Sequence, residues 1–237
     1  MLDKGVERRR EPKPVGRVSK LFASIGRLIL PVIALLGCFG LITQFWQTPA
    51  SDFRFLLQLH PALDPMKSLW LSWGVVLVPL AFFVVNLTNR RYGATSAFWA
   101  VVLVWLLFGG LLCWAAEQGL LASLVESKAI RVQAIGFAVA LFVGEILCIC
   151  FFDWLRGIPW WQAPFVAALL GGLAYTFAYH VLVYGLTHET LAGVWNGDIW
   201  PRLAALSALQ LVWAALQLLP TAALRGLIRP LPGYGGA

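Results

Sequence analysis

The chain has 237 residues, of which 60% are hydrophobic and 12% are charged, and its mean hydropathy is +0.78. Soluble domains are closer to half apolar and about one quarter charged, so this composition excludes an ordinary soluble domain and indicates a membrane protein. The net charge of +7 does not point to nucleic acid, because eight Lys or Arg residues, against three acids, lie in the first 27 residues. Such a tail orients a membrane protein or contacts anionic lipid.

Six apolar runs are long enough to cross a bilayer, since a helical span needs roughly 20 residues. They are Leu28 to Trp46, Leu69 to Val85, Thr95 to Ala116, Ile130 to Phe152, Ala163 to Leu186 and Trp200 to Leu219. The sequence therefore predicts an all-α integral membrane protein, a compact bundle of six transmembrane helices. Residues 1–26 are expected to form a basic cytoplasmic tail, residues 27–220 the membrane domain, and residues 221–237 a second cytoplasmic tail. A polar cluster at 86–93 closes the second predicted span, and Pro220 closes the sixth.

The distribution of Lys and Arg predicts the orientation. Thirteen of these residues lie in the two tails, at Arg27 just before the first apolar run, and in the loops after the second and fourth spans, whereas the opposite loops hold Arg54, Lys67, Lys128 and Arg131. Cytoplasmic loops carry the excess of basic residues, so both termini are expected in the cytoplasm. Tryptophans near the span ends are expected to form an anchoring belt at headgroup depth. They are Trp46, Trp70, Trp73, Trp114, Trp160, Trp161, Trp195 and Trp200.

Few polar side chains lie within the spans, and each is a candidate for function because burying it in hydrocarbon is costly. Glu145 is the only acid well inside a predicted span. It is interpreted either as a hydrogen-bonded structural carboxyl or as a binding or proton-coupling group. The fifth span carries two rows spaced by four residues, which share a helix face. These rows are Gly171, Tyr175, Tyr179 and Gly172, Thr176, His180, Tyr184.

These two rows predict a close helix approach at the glycines and a polar or aromatic lining beyond them. A planar heterocyclic ligand could stack there, and an interhelical hydrogen-bond seam is the alternative. Asn86, Asn89, Arg90 and Arg91 close the second span on the expected cytoplasmic side, where arginines suit lipid phosphates and a gate is the alternative. Asp198 and Arg202 are four residues apart and predict an ion pair at the start of the sixth span, from which Arg202 could reach an anionic ligand.

Enzymes and metal proteins are not supported. His188 and Glu189 have no further ligands at metal spacing, and Cys148 and Cys150 point to different faces of a helix. All four cysteines lie in apolar runs, so no disulfide framework is expected. No Gly-x-Ser-x-Gly, His-Glu-x-x-His or phosphate-loop motif is present. We therefore expect no catalytic residues, no metal and no cofactor.

Three groups of residues resemble the VUT family, the bacterial queuosine-precursor transporters. The first comprises Trp73-Gly74, Pro79, Ala81-Phe82 and Asn86 through Gly93. The second runs from Gly144-Glu145-Ile146-Leu147 through Phe152, Leu155-Arg156, Trp160-Trp161 and Ala163-Pro164 to Leu169-Leu170-Gly171. The third is Gly197-Asp198 with Arg202. The resemblance covers roughly residues 69 to 220 and implies uptake of deazaguanine compounds through a six-helix bundle in the inner membrane.

The chain departs from the family pattern at its charged positions. The family has Asp where this chain has Asn86, Gln and Asp at the positions of Glu145 and Cys148, and Lys where Arg202 stands. It also has an Asp near the position of Tyr175. Removing an intramembrane carboxylate removes a proton carrier and a strong acceptor. The departures therefore indicate either a different substrate or a bundle kept as a scaffold after transport was lost.

Two hypotheses follow. In the first, the chain is a secondary transporter for a small planar, base-like compound, by resemblance a queuosine precursor. Its predicted substrate-binding residues face a central cavity, where Glu145 accepts an exocyclic amine or carries the coupling proton. These residues are Asn86, Glu145, Tyr175, Tyr179, His180 and Arg202.

In the second hypothesis, the chain is a non-transporting accessory subunit of a larger pigment-type or respiratory-type membrane complex, with His180 as a candidate axial ligand to a porphyrin-type metal. The expected partners are a small-molecule substrate and membrane lipids, with no nucleic acid. A homo-oligomer or association with a larger complex stays open.

Overall fold

The fold is a bundle of α-helices. The computed structural model describes residues 17–65, 70–119, 128–157, 159–187 and 199–228. The α-helices of these residues are α1 Arg17–Gln44, α2 Trp73–Leu77, α3 Pro79–Tyr92, α4 Ala94–Glu117, α5 Lys128–Trp154, α6 Gln162–Thr187, α7 Ile199–Leu216 and α8 Leu218–Leu224. Two 3₁₀ helices, Ser51–Gln58 and Pro61–Leu63, lie between α1 and α2. The described part of the chain contains no strand, and its one β-bridge pairs Pro49 with Ser72.

Six of these segments are long and apolar enough to cross a membrane, which confirms the all-α prediction and the number of spans. α2 and α3 together make the second span, and α7 and α8 make the sixth. The second span is broken at Val78 because Pro79 has no backbone N–H to continue the ladder. The Val78 N–H instead donates to Val75 O at 3.3 Å, which tightens the last turn of α2.

The spans alternate in direction, so the start of α1 and the end of α8 lie at the same end of the bundle. This end carries Arg90, Arg156 and Arg225 and is called the arginine end. The opposite end is covered by the two 3₁₀ helices and is called the loop end. There, Arg202 Nε at the start of α7 donates to Ala62 O at 3.0 Å, which ties the sixth span to the second 3₁₀ helix.

α3 is the central helix of the bundle. In an 18-residue stretch of the span that contains it, 67% of the residues are buried, against 22% of the residues in the equivalent stretches of the spans formed by α4 and by α7 with α8. α3 contacts α1, α4, α5 and α6. Its apolar residues Ala81, Phe82 and Val85 belong to the main core, together with Leu35, Val104, Leu141 and Ala167 from the surrounding helices. The side chains of α3 therefore reach most of the interior.

The prediction that residues 86–93 form a polar turn after the second span was wrong. α3 continues to Tyr92, and the chain turns at Gly93, whose φ of 87° suits glycine. Asn86, Thr88, Asn89 and Arg90 are all buried, and each has a hydrogen-bond partner. Asn86 and Asn89 donate to carbonyls of α6 and α5, whereas Thr88 donates to Val84 O of α3 itself. Of the two arginines expected at the lipid phosphates, only Arg91 is exposed.

Helical structure also extends beyond both predicted borders of the membrane domain. α1 begins at Arg17, before residue 27, and α8 continues through Pro220 to Leu224. Pro220 is tolerated because it lies within the first turn of the new helix α8, where its missing N–H is not needed.

The loop end is closed at a narrow neck. The Ala50 N–H donates to Leu71 O at 3.1 Å, and the Trp73 N–H donates to Thr48 O at 2.9 Å. Within the loop, the Trp70 indole N–H donates to Asp64 O at 3.1 Å, and Trp70 is buried. Trp70 therefore stabilises the loop and does not belong to the predicted belt, whereas Trp114 and Trp200 are exposed, as that belt requires.

Candidate functional site

Glu145 lies in the middle of α5 and is fully buried. The indole N–H of Trp105, on α4, donates to its Oε2 at 2.8 Å. Its other oxygen, Oε1, has no hydrogen-bond partner among the described residues. One carboxyl oxygen therefore accepts a hydrogen bond, and the other oxygen is left without a partner among the described residues in the interior of the bundle. Such an arrangement can receive a proton or a further N–H donor.

Cys148, one turn after Glu145 on α5, contacts Asn86 and so connects Asn86 to the surroundings of Glu145. The Cys148 thiol donates to Asn86 Oδ1 at 3.2 Å and lies within electrostatic reach of Glu145. Asn86 Nδ2 donates to Pro164 O at 3.1 Å, and the same carbonyl accepts from Gln217 Nε2 at 3.1 Å. The structure thus links α3, α5, α6 and the break before α8 through amides, a thiol and one backbone carbonyl.

The two predicted rows of α6 face two different helices. Gly171 packs against α5, where a Cβ atom on it would lie 2.8 Å from Gly144 O. Gly172 packs against α7, where a Cβ would lie 2.5 Å from Gln210 Oε1. Glycine at these positions lets the helices approach closely, as the sequence pattern indicates. The residues that follow each glycine therefore enter two separate interfaces.

The row that follows Gly171 enters an aromatic cluster between α1, α3, α5 and α6. Tyr175 stacks on Tyr179 with ring centroids 6.0 Å apart, and the Phe137 ring meets the edge of Tyr175 at 5.9 Å. Trp46 contacts Phe137 at 4.5 Å and Tyr179 at 6.1 Å. Trp46, predicted for the anchoring belt, thus packs inside the bundle. The Tyr175 hydroxyl is buried and has no hydrogen-bond partner among the described residues.

The row that follows Gly172 enters a polar seam with α7. His180 Nδ1 lies 2.8 Å from Thr176 O, and the Arg202 guanidinium lies within electrostatic reach of the imidazole. Thr176 Oγ1 and Gln210 Nε2 are buried without a hydrogen-bond partner in the described part of the chain. The predicted partner of Arg202, Asp198, lies outside the described residues, as do His188 and Glu189.

The six predicted site residues thus fall into three adjoining groups. Asn86 and Glu145 meet through Cys148, Tyr175 and Tyr179 belong to the aromatic cluster, and His180 and Arg202 belong to the seam with α7. Tyr179 and His180 join the last two groups, with ring centroids 5.6 Å apart. A pocket of about 220 Å³ near the loop end contains none of the six, since it is lined by residues such as Phe53, Trp70 and Leu209.

Sequence reasoning missed two residues that contact the site. Trp105 lies in a continuous apolar run, where nothing distinguishes its indole from those of other tryptophans. Gln210 carried a usable signal, because it is a polar residue in the middle of the sixth span.

No three His, Cys, Asp or Glu side chains of the described ranges lie close enough together to hold a metal ion. Comparison of the chain with protein-family models, with curated proteins and with solved structures gives no match.

Proposed function

We propose that the chain is a secondary transporter for a small, planar, base-like compound. The observation that supports this proposal is a set of four fully buried polar atoms that have no hydrogen-bond partner among the described residues. They are Glu145 Oε1, Tyr175 Oη, Thr176 Oγ1 and Gln210 Nε2. Each such group costs about 1–3 kcal/mol when it is left unpaired, so four together are a large penalty unless a ligand or a buried water completes them.

The chemistry of the four atoms suits the edge of a heterocyclic base. Glu145 Oε1 can accept an exocyclic amine, and the Gln210 amide can donate to a ring nitrogen or a carbonyl oxygen. The hydroxyls of Tyr175 and Thr176 can do either. Neighbouring aromatic rings offer faces for stacking. By resemblance to the VUT family, the substrate is a deazaguanine precursor of queuosine.

The aromatic cluster has to open for this substrate to enter. Its rings contact one another directly, at centroid distances from 4.5 to 6.1 Å between Trp46, Phe137, Tyr175 and Tyr179. Rings this close leave no gap for a further planar molecule between them. The arrangement therefore corresponds to the closed state of the proposed transporter, and Trp46, in the turn that follows α1, has to move relative to α6.

Glu145 is the proposed coupling group. An ionised carboxylate is far more costly than the neutral acid in a protein interior when no cation accompanies it. The hydrogen bond that the structure gives this carboxyl comes from a neutral indole. A proton that binds Glu145 on one side of the membrane and leaves on the other would drive uptake against a gradient.

The proposal places the protein in the bacterial inner membrane with both termini in the cytoplasm. An even number of candidate spans supports this arrangement, because it would put the start of α1 and the end of α8 on the same side of the membrane. The excess of basic residues in the tails and adjoining loops favours the cytoplasm for that side.

The decisive experiment is uptake. We expect that the chain, expressed in cells that cannot make the precursor, restores queuosine in transfer RNA when a deazaguanine precursor is added. Glu145→Gln should reduce the initial rate at least about tenfold, since it removes the proton carrier. Glu117→Gln is the matched control, because it makes the same change at an exposed position at the end of α4.

A well-expressed chain that never restores queuosine would exclude this substrate. If Glu145→Gln and Glu117→Gln both transport normally, Glu145 has no coupling role.

One observation favours the alternative, a non-transporting accessory subunit. Asn86, His180 and Arg202 each bond separately to a backbone carbonyl, those of Pro164, Thr176 and Ala62. Side chains satisfied in this way can serve packing alone. If the chain co-purifies in a fixed ratio with another membrane protein and shows no uptake, the accessory role replaces the transporter.

A further inference from the structure

Three arginines from distant parts of the chain meet at the arginine end. Arg90 lies in the last turn of α3, Arg156 follows α5, and Arg225 follows α8. Arg156 and Arg225 both lie within electrostatic reach of the Arg90 guanidinium. The fold thus concentrates three positive charges, here called the arginine cluster, at one place.

The described residues supply little negative charge to the arginine cluster. Among the described acids, Asp153 forms an ion pair with the arginine cluster, with Oδ1 3.0 Å from an Arg156 nitrogen. Glu145 lies mid-bundle, and the other described acids, Asp52, Asp64 and Glu117, belong to segments at the loop end. Among the described residues, three guanidinium groups face one carboxylate, and the repulsion between the guanidinium groups is unfavourable unless further negative charge joins them.

Two of the arginines have guanidinium N–H groups that could donate to an anion. Arg90 uses its Nε to donate to Ile228 O at 3.2 Å, and its terminal nitrogens bond to no described residue. The Arg225 guanidinium stacks over the Trp160 ring at 5.5 Å and makes no hydrogen bond or ion pair within the described ranges. The planar fork of a guanidinium suits the paired oxygens of a phosphate.

The arginine cluster is held in place by buried contacts, unlike a set of flexible surface residues. Arg90 is only 8% exposed. The Arg156 side chain is 10% exposed and donates to Asn89 Oδ1 at 2.6 Å and to Asn89 O at 3.2 Å. Asn89 is itself fixed, because its Nδ2 donates to Ile149 O at 3.1 Å. Preorganised donors lose little freedom when they bind an anion.

We propose that Arg90, Arg156 and Arg225 form a binding site for a phosphate group, carried either by an anionic lipid headgroup or by a soluble phosphate compound. The site is separate from the interior polar atoms assigned to transport. Trp160 lies beside it, as an amphipathic ring does at headgroup depth. Bound phosphate would join α3, α5 and α8 at the arginine end and stabilise the bundle there.

The test uses the full chain in dodecyl maltoside micelles free of phosphate. Inorganic phosphate is titrated in one series, phosphatidylglycerol in a second, and diacylglycerol, with matched acyl chains but no phosphate, in a third. The readout is the thermal unfolding midpoint, which rises with any ligand that binds only the folded state. A rise with inorganic phosphate assigns a soluble phosphate compound. A rise with phosphatidylglycerol and not with diacylglycerol or inorganic phosphate assigns the lipid headgroup.

Arg225→Gln should weaken the apparent affinity about tenfold, and Arg225→Lys less, since it keeps the charge but loses the fork. Arg225 is only half-buried, so this variant folds more safely than one at Arg90. Arg91→Gln is the matched control, one residue from Arg90 but exposed, and should change the affinity less than about twofold. The proposal is overturned if neither phosphate probe raises the midpoint, if diacylglycerol matches phosphatidylglycerol while inorganic phosphate is inert, or if Arg91→Gln weakens binding as much as Arg225→Gln.

Discussion

The hydrogen bond between Trp105 and Glu145 joins α4 to α5 in the middle of the bundle. Indole is a donor only, so it stabilises either form of the carboxyl without taking its proton. In a low-dielectric interior such a bond is stronger than the same bond in water. The pair therefore holds Glu145 in one orientation, with Oε2 toward α4 and Oε1 left for another donor.

Trp105→Phe should lower the free energy of unfolding by about 1–3 kcal/mol, because it leaves a second oxygen of Glu145 unpaired. Thermal unfolding in detergent measures the effect. Trp114→Phe, at an exposed position on the same helix, should change stability by less than about 0.5 kcal/mol. Equal effects of the two variants would mean that the hydrogen bond contributes little.

Sequence reasoning identifies buried polar residues better than their partners. Glu145 is evident because an acid within an apolar run is rare and costly. The role of Trp105 is not evident, since a tryptophan side chain can equally well face lipid, pack in the core or donate a hydrogen bond. That His180 lines a cavity stays a prediction, whereas the position of its Nδ1 beside Thr176 O of its own helix is a local contact that no spacing pattern reveals.

Among the elements, α5 and α6 form the closest pair, because two glycines face each other. A Cβ atom on Gly144 would lie 2.8 Å from Gly171 O and 3.0 Å from Tyr175 Cβ. Neither the backbone nor Tyr175 can move away without disturbing the aromatic cluster.

Gly144→Ala should therefore separate α5 from α6 and lower the free energy of unfolding by about 1–3 kcal/mol. Gly110→Ala is the matched control, because a Cβ atom at Gly110 of α4 meets nothing within 4 Å. That control should be neutral or slightly stabilising, since Ala is the better helix former. Thermal unfolding of both variants decides the matter, and an unaffected Gly144→Ala protein would contradict the close contact.

The helices themselves follow from hydropathy, but where they end does not. The falling hydropathy after Val85 predicted a turn, yet α3 continues because Asn86 and Asn89 donate to carbonyls of α6 and α5. Buried partners on other helices make polar residues acceptable inside a span. That information belongs to the packed structure, so a single sequence cannot supply it.

At the scale of the whole molecule, six spans bring both ends of the described chain to one side of the membrane. We propose, from the counts of basic residues, that this side is the cytoplasmic one. Exposed positions at the two ends of the bundle make this assignment testable: Leu59 is 74% exposed at the loop end, and Leu227 is 79% exposed at the arginine end.

A membrane-impermeant maleimide should label Leu59→Cys in intact cells and Leu227→Cys only after the membrane is permeabilised. The unsubstituted chain is the control for its four native cysteines, which lie within membrane spans. The reverse labelling pattern would invert the proposed orientation.

The neck at the loop end separates the segment between α1 and α2 from the membrane-spanning helices. Backbone hydrogen bonds between Ala50 and Leu71 and between Thr48 and Trp73 join the two ends of this segment. Residues inserted between these bonds therefore need not separate the first span from the second. An epitope inserted beside Leu59, the exposed tip, should leave assembly of the helices intact. That site would serve for antibody detection or for attaching a fiducial protein in electron microscopy of a chain this small.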